Sequence, residues 1–215
     1  LDNTYNEHCR TLLGLIKYTK MIMIFMRVYV VDNGGQWTHR EWRVLKYLGV
    51  ETKIIPNNTP PKDLDVDALV LSGGSPHVSV ESDKMGLNSE YIDSLNIPVL
   101  GICAGFQFMC NHLGADLRPA EIPEFGQATL VIDKDNELFF NLPRSFTVWE
   151  SHNDEVTNIP KEIDILAHTE NCAVEAIKVK DKPLYGVQFH PEVENTEHGS
   201  DIFKNFISIV EAWHS

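Results

Sequence analysis

The segment MRVYVVD (26–32) is a short run of apolar, largely β-branched residues that ends in the turn NGG. Trp42, Val44, Leu45 and Leu48 then fall on one helical face. This predicts strand, turn and helix. The alternation continues with TKIIP and DALVLS (67–72) as strands, a helix around 88–95, and IPVLGI (97–102) as a strand. A further helix carries Phe106, Met109, Cys110 and Leu113 at spacings i, i+3, i+4 and i+7, with Gly114 as its cap. Such continuous apolar strands lack a solvent-facing alternation, so they indicate a parallel sheet covered on both faces. From 127 to 190 the pattern changes to QATLVID, FTVWE, DILAHT, AVEAIKV and PLYGVQF, strand candidates separated by turns, before one last helix from about 199 to 213. The expected fold is α/β, with a mostly parallel central sheet, helices on both faces and a β-rich C-terminal half.

Residues 1–25 stand apart. They lack a basic start followed by a small-residue cleavage site, and methionines at 21, 23 and 26 precede the first strand. We read 1–25 as an N-terminal extension outside the core and 26–215 as one domain, since no Pro/Gly/Ser-rich stretch divides the rest. Apolar residues make up 43% of the chain and charged residues 23%, as in soluble globular proteins, and no apolar run approaches the roughly 18 residues of a membrane span. The formal charge of −13 opposes binding to nucleic acid or an anionic membrane. Cysteines at 9, 103, 110 and 172 have neither the density nor the paired spacing of a disulfide scaffold, so reduced thiols and a cytoplasmic location are expected.

One cysteine sits where chemistry is done in open α/β sheets, beyond the carboxyl end of a strand. GICAG (101–105) places Cys103 between strand and helix in a GxCxG pattern, the thiol counterpart of the GxSxG elbow. The flanking glycines relieve crowding, and the helix N-terminus favours a thiolate. A small apolar cysteine packed at a strand end is the plain alternative. YGVQFHPEVE (185–194) adds His190 after a strand and Glu192 two residues on, where both side chains can point to one side of an extended segment. A nucleophilic thiol needs an imidazole to move its proton and a carboxylate to fix the imidazole tautomer, and Cys103, His190 and Glu192 supply them.

A third strand end reads LVLSGGSPH (69–77), where Gly73 and Gly74 let the backbone approach a ligand closely. The N–H groups of Gly74 and Ala104 are the expected oxyanion donors. SGG also opens the SGGxDS phosphate loop of ATP pyrophosphatases, but this chain continues Ser75, Pro76, His77 and has no Walker lysine, so no phosphate site is expected. Cys110 and His112 form a CxH pair without further ligands at zinc-like spacing; core packing explains Cys110, and no metal is expected.

SGG, GxCxG and HPE in this order resemble the class I (triad) glutamine amidotransferases, over about residues 26–210. Within that family, VVDNGGQWTHREWRVLKYLGV, WESHNDEV and VQFHPEVENTEHGSDIFKNF are similar to the separate glutaminase subunits of archaeal-type two-chain GMP synthetases. The resemblance implies hydrolysis of glutamine to glutamate and ammonia, and ammonia transfer to an ATP pyrophosphatase subunit that converts XMP to GMP. It implies no cofactor in this chain, with ATP and Mg on the partner. It also implies that Gln107, one helical turn past Cys103, contacts glutamine, and that Ser151 and His152 lie near substrate or partner, although a polar turn would equally explain SHND. Phe106 departs from the frequent GHQ, and Ser75 stands where the family usually has proline. Other readings are a glutaminase of another synthetase, a γ-glutamyl hydrolase, and a silent regulatory module.

Overall fold

The structure is a computed structural model that describes residues 26–215. The extension expected over 1–25, with Cys9, lies outside the described residues. Strand β1 (Val28–Asn33) leads into helix α1 (Thr38–Tyr47), followed by β2 (Ile54–Pro56) and β3 (Ala68–Gly74). A short turn of helix α2 (Val78–Glu81) precedes α3 (Asn88–Ser94), β4 (Val99–Ile102) and α4 (Ala104–His112). The rest comprises β5 (Asp116–Ile132), β6 (Ser145–Thr157), β7 (Ile163–His168), β8 (Ala176–Val179), β9 (Leu184–Val187) and α5 (Gly199–Trp213).

Among the described residues, nine strands join one sheet in the order β2-β1-β3-β4-β9-β8-β7-β5-β6. The pairs from β2 to β9 are parallel, and those from β9 to β6 are antiparallel. Strand β9, from the C-terminal half, thus closes the parallel sheet beside β4, and Leu100 pairs with Tyr185. This brings the strand that precedes His190 next to the strand that ends at Cys103, although the two are distant in sequence.

Alternation along the parallel strands sends side chains to opposite faces, each with its own core. Val28, Val30, Val70, Leu100 and Ile102 meet Leu45 of α1 and Ile202, Phe203, Phe206 and Val210 of α5. Tyr29, Val31, Leu69, Leu71 and Val99 meet Tyr91 and Ile92 of α3 and Phe106, Met109 and Cys110 of α4. The two layers of helices over one sheet match the pattern expected from the sequence, and Gly114 ends α4 with φ of +98°.

The β-rich half is longer than its apolar pattern announces. β5 begins at Asp116, although DLRPAEIPEF contains two prolines and few apolar residues, and its register with β6 shifts between Pro119 and Glu124. Proline is tolerated where a ladder is interrupted. β6 likewise runs through Ser151–Asp154, so the polar turn considered for SHND is a strand paired across to β5.

Phe206 is fully buried beneath the sheet. Phe206→Ala is expected to lower unfolding free energy by about 3–5 kcal/mol in urea titrations, whereas Ser208→Ala, exposed on the same helix, changes it by less than about 0.5 kcal/mol.

Candidate active site

Cys103 occupies the corner between β4 and α4 with φ of +48° and ψ of −108°. A non-glycine residue rarely adopts positive φ, and doing so costs about 1–3 kcal/mol, which the surroundings must offset. Its N–H donates to the Val187 carbonyl of β9 at 2.9 Å, and its own carbonyl accepts from the Gln107 N–H at 2.8 Å. Gly105, two residues on, packs so closely on β3 that a Cβ there would collide with the Leu71 carbonyl. The glycine lets the helix seat against the sheet and hold the corner.

His190 follows β9. Its N–H donates to the Trp149 carbonyl at 3.0 Å, and its carbonyl accepts from Thr196 Oγ1 at 2.6 Å; the same hydroxyl accepts from the Trp149 N–H at 3.0 Å. Two further bonds, Glu197 N–H to the Thr147 carbonyl at 2.9 Å and Thr147 N–H to Glu197 Oε2 at 2.7 Å, tie segment 190–197 along β6. Glu192 Oε1 lies 2.7 Å from His190 Nδ1, with the carboxylate side chain fully buried. Nδ1–H is therefore the donor to Glu192, leaving Nε2 to face Cys103. Burial disfavours the imidazolium, but negative charge at Cys103 and Glu192 outweighs it and holds the His190 pKa well above its ordinary value.

These groups line one cavity of about 180 Å³ with Gly34, Gly35, Trp37, Gly73, Gly74 and Ser151. Trp37 stands edge-on to the His190 ring, with centroids 4.4 Å apart. Gly73 leaves room for the imidazole, since a Cβ would come within 3.2 Å of His190 Cε1 and press on the ring. Its N–H is engaged by Glu41 Oε1 at 3.3 Å, while Gly74 stands at the lip of the cavity. Ala104 opens α4, so its N–H has no partner within the helix and lies next to the thiol.

The remaining expected contacts separate. Ser151 reaches the cavity, and its carbonyl accepts from the Cys103 thiol at 3.8 Å. His152, the next residue of an extended strand, points to the opposite face and is not among the cavity's lining residues. Its Nδ1 lies 3.0 Å from the Asp154 carbonyl, and neighbouring carboxylates outweigh burial to raise its pKa to about 10. Gln107 is also turned inward: its amide nitrogen donates to the Asp154 carbonyl and Gln188 Oε1, both at 3.0 Å. It joins α4 to β6 and to the residue after β9, and does not line the cavity in this state.

Sequence reasoning missed Trp37, the residue that precedes α1, and Glu41 on α1 itself. The turn DNGGQ after β1 marks this strand end as a place where a ligand can approach, and that is the available signal. Glu41 is almost completely buried. Burial, and then the nearby Glu192 charge, push its pKa well above the ordinary carboxylate range.

A cysteine at a strained elbow, an imidazole and a carboxylate on one α/β sheet define a hydrolase of the cysteine-triad class. The chain belongs to the class-I glutamine amidotransferase family, whose model matches residues 29–210. It is 50% identical over 189 residues to a glutamine-hydrolyzing GMP synthase subunit of Thermoplasma acidophilum, covering 87% of this chain and 94% of that one. It is 44% identical over 190 residues to the protein of the same name from Methanocaldococcus jannaschii, covering 85% and 96%. A crystal structure of a GMP synthase subunit from T. acidophilum superposes with TM-score 0.85 and 49% identity, over 88% of this chain and 96% of that one. A glutamine amidotransferase structure from Thermotoga maritima, at 19% identity, TM-score 0.68 and 87% and 83% coverage, shares the fold.

The raised Glu41 pKa has a definite sign in stability. The folded protein holds the proton to higher pH than the unfolded chain, so this contribution is full below the unfolded pKa of about 4.5 and is lost as pH rises toward the folded value. Glu41→Gln removes that loss. Its stability relative to the parent is expected to grow with pH across this window by up to about 1.4 kcal/mol per pH unit, measured by urea unfolding at about pH 5 and about pH 7.

Proposed function

We propose that this chain is the glutaminase subunit of a two-chain GMP synthetase, with Cys103 as nucleophile. The observation that carries the chemistry is the elbow cysteine facing a buried His190 whose Nδ1 is 2.7 Å from Glu192. The synthetase assignment is supported by relatives at up to 51% identity that share one name.

In this reading the Cys103 thiol passes its proton to His190 Nε2, and the resulting thiolate Sγ attacks the glutamine side-chain carbonyl carbon. The C–S bond forms, and the carbonyl π electrons move to oxygen, held by the N–H groups of Gly74 and Ala104. Gly73 shapes the wall, and its own N–H is occupied by Glu41. The C–N bond breaks on collapse, His190 gives its proton to the leaving ammonia, and a γ-glutamyl thioester remains. His190 then takes a proton from water, whose oxygen attacks the thioester, and the Cys103 thiolate leaves with glutamate as product. Glu192 holds the imidazole orientation and stabilises its cation throughout.

The amidotransferase reaction uses no cofactor in this chain; ATP and Mg belong to the ATP pyrophosphatase subunit that aminates XMP. Free ammonia near neutral pH is mostly protonated and no longer nucleophilic, so direct delivery to that partner follows from the chemistry. A cytoplasmic location fits this role; among the described residues no helix is long and apolar enough to cross a membrane. Gln107 and His152 reach glutamine only after rearrangement, so a role for either requires a conformational step on binding substrate or partner.

Glutamate release from glutamine is expected to be slow for this chain alone and to rise with ATP, XMP and the ATP pyrophosphatase partner. Cys103→Ala abolishes it in both conditions. Equal turnover with and without the partner would remove the synthetase assignment and keep the glutaminase. Glu192→Gln is expected to lower kcat by roughly 10²–10⁴-fold; an unchanged kcat rules out its role as the residue that orients His190.

A further inference from the structure

On the other face of β6 from Ser151, three carboxylates converge on one imidazole. His152 Nε2 lies 3.4 Å from Glu150, 3.5 Å from Glu124 and 3.8 Å from Glu175, and all four side chains are nearly or wholly buried. Among the described residues, every ion pair of these carboxylates is with His152. Cys172 joins the group: one ligand atom each from Glu124, His152, Cys172 and Glu175 lies within 4.8 Å of the others.

The polar atoms here are left without partners. His152 Nε2, both oxygens of Glu150 and both of Glu175 are buried and make no hydrogen bond within the protein. Buried carboxylates without donors are costly, and in folded proteins such charges are paired or coordinate metals. The separations carry the point further. At 3.4–3.8 Å, Nε2 is too far from each carboxylate for a good N–H···O bond. A tetrahedral zinc ion with bonds of about 2.0–2.3 Å holds its ligand atoms roughly 3.3–3.7 Å apart, close to the 3.5 and 3.8 Å from Nε2 to Glu124 and Glu175. The four ligand atoms, all within 4.8 Å of one another, would draw in by up to about 1 Å.

The surrounding bonds orient the donors as a metal site requires. The Asp154 carbonyl can only accept, so His152 Nδ1 carries a proton at the 3.0 Å contact, and a metal would take the place of the second proton on Nε2, which faces the carboxylates. Thr169 Oγ1 contacts both Glu124 oxygens, at 3.0 and 2.9 Å, and accepts from the Cys172 N–H at 3.0 Å. That hydroxyl ties the Glu124 carboxylate to the backbone of Cys172. A cleft of about 460 Å³ lined by Glu124, Glu150 and Asn171 opens beside the cluster and gives an ion a way in.

We propose that Glu124, His152, Cys172 and Glu175 form a zinc site, with Glu150 adjacent and outside the ligand set. The thiol and imidazole select zinc over magnesium or calcium, which take oxygen ligands. Binding forms bonds from zinc to Nε2, to Sγ and to the two carboxylates. It releases the Cys172 proton, and any proton on Nε2 or the Glu175 carboxyl, to solvent. The ion would join β5, β6 and the segment 169–175 beside Ser151, whose carbonyl touches Cys103. Its role is to hold the back wall of the cavity, and the proposal stands apart from the glutaminase reading.

The test uses the full chain carrying Cys103→Ala, because Cys103 and His190 could themselves capture zinc. Zn²⁺ competed against a chromogenic chelator is expected to bind at one equivalent, and at 100-fold excess over Kd to raise Tm by roughly 5–10 °C. Co²⁺ should give a thiolate-to-metal absorption band. Adding Cys172→Ser should remove that band, and adding Glu175→Gln, which keeps shape and volume and so reads binding even if the serine variant folds poorly, should weaken Zn²⁺ binding by roughly 100-fold or more. No stoichiometric binding and an unmoved Tm in the Cys103→Ala protein would overturn the proposal, as would affinity unchanged by Glu175→Gln.

Discussion

The left-handed backbone at Cys103 is the constraint on which the site depends. An L-residue occupies that conformation only if the surroundings leave it no other, and here the corner is fixed from both sides. β9 accepts its N–H, and α4 is drawn against β3 through Gly105. The same β9 continues into His190. One strand thus immobilises the nucleophile through its backbone and places the base through its end, so the pair is set by sheet register and does not rely on flexible loops. Close packing on both faces of the parallel sheet keeps that register from relaxing.

β6 divides the electrostatics. On one side Ser151 meets the thiol, and His190 is held charged by Cys103 and Glu192, with Glu41 nearby. On the other side His152 faces Glu124, Glu150 and Glu175. Each histidine sits among carboxylates, but in opposite ways. His190 makes one short, directed bond and keeps its second nitrogen for chemistry. His152 makes a directed bond only to a carbonyl and lies at a longer, nearly equal distance from three carboxylates. The contrast separates a proton-transfer site from a place suited to a cation.

The parallel half was legible in the sequence because its strands and helices bury whole faces, and such faces write a period into the text. Cys103, His190 and Glu192 were legible for a related reason, since they fall at strand ends whose glycines and proline mark the turns. Other features left no comparable mark. β5 extends through DLRPAEIPEF because pairing with β6, not its own apolar content, makes it a strand. Glu124, Glu150, Cys172 and Glu175 are brought together by the β5, β6, β7 and β8 ladders, so no local spacing announces them, whereas the CxH pair that does have local spacing is split between a buried Cys110 and a His112 paired with Asp93. Ser151 and His152, expected together beside substrate or partner, part company because a strand of period two sends neighbours to opposite faces.

The bonds that tie residues 190–197 along β6 have a further consequence. β6 is the last strand of the sheet, and an uncovered terminal strand presents unpaired N–H and C=O groups that can recruit another chain. Here Thr147 and Trp149 satisfy theirs on Glu197, Thr196 and the backbone of His190. The loop that carries the base is therefore also a cover over the sheet's margin. Damage to that loop would uncover a surface prone to self-association, so a lesion at the chemical centre can be met in the cell first as loss of solubility.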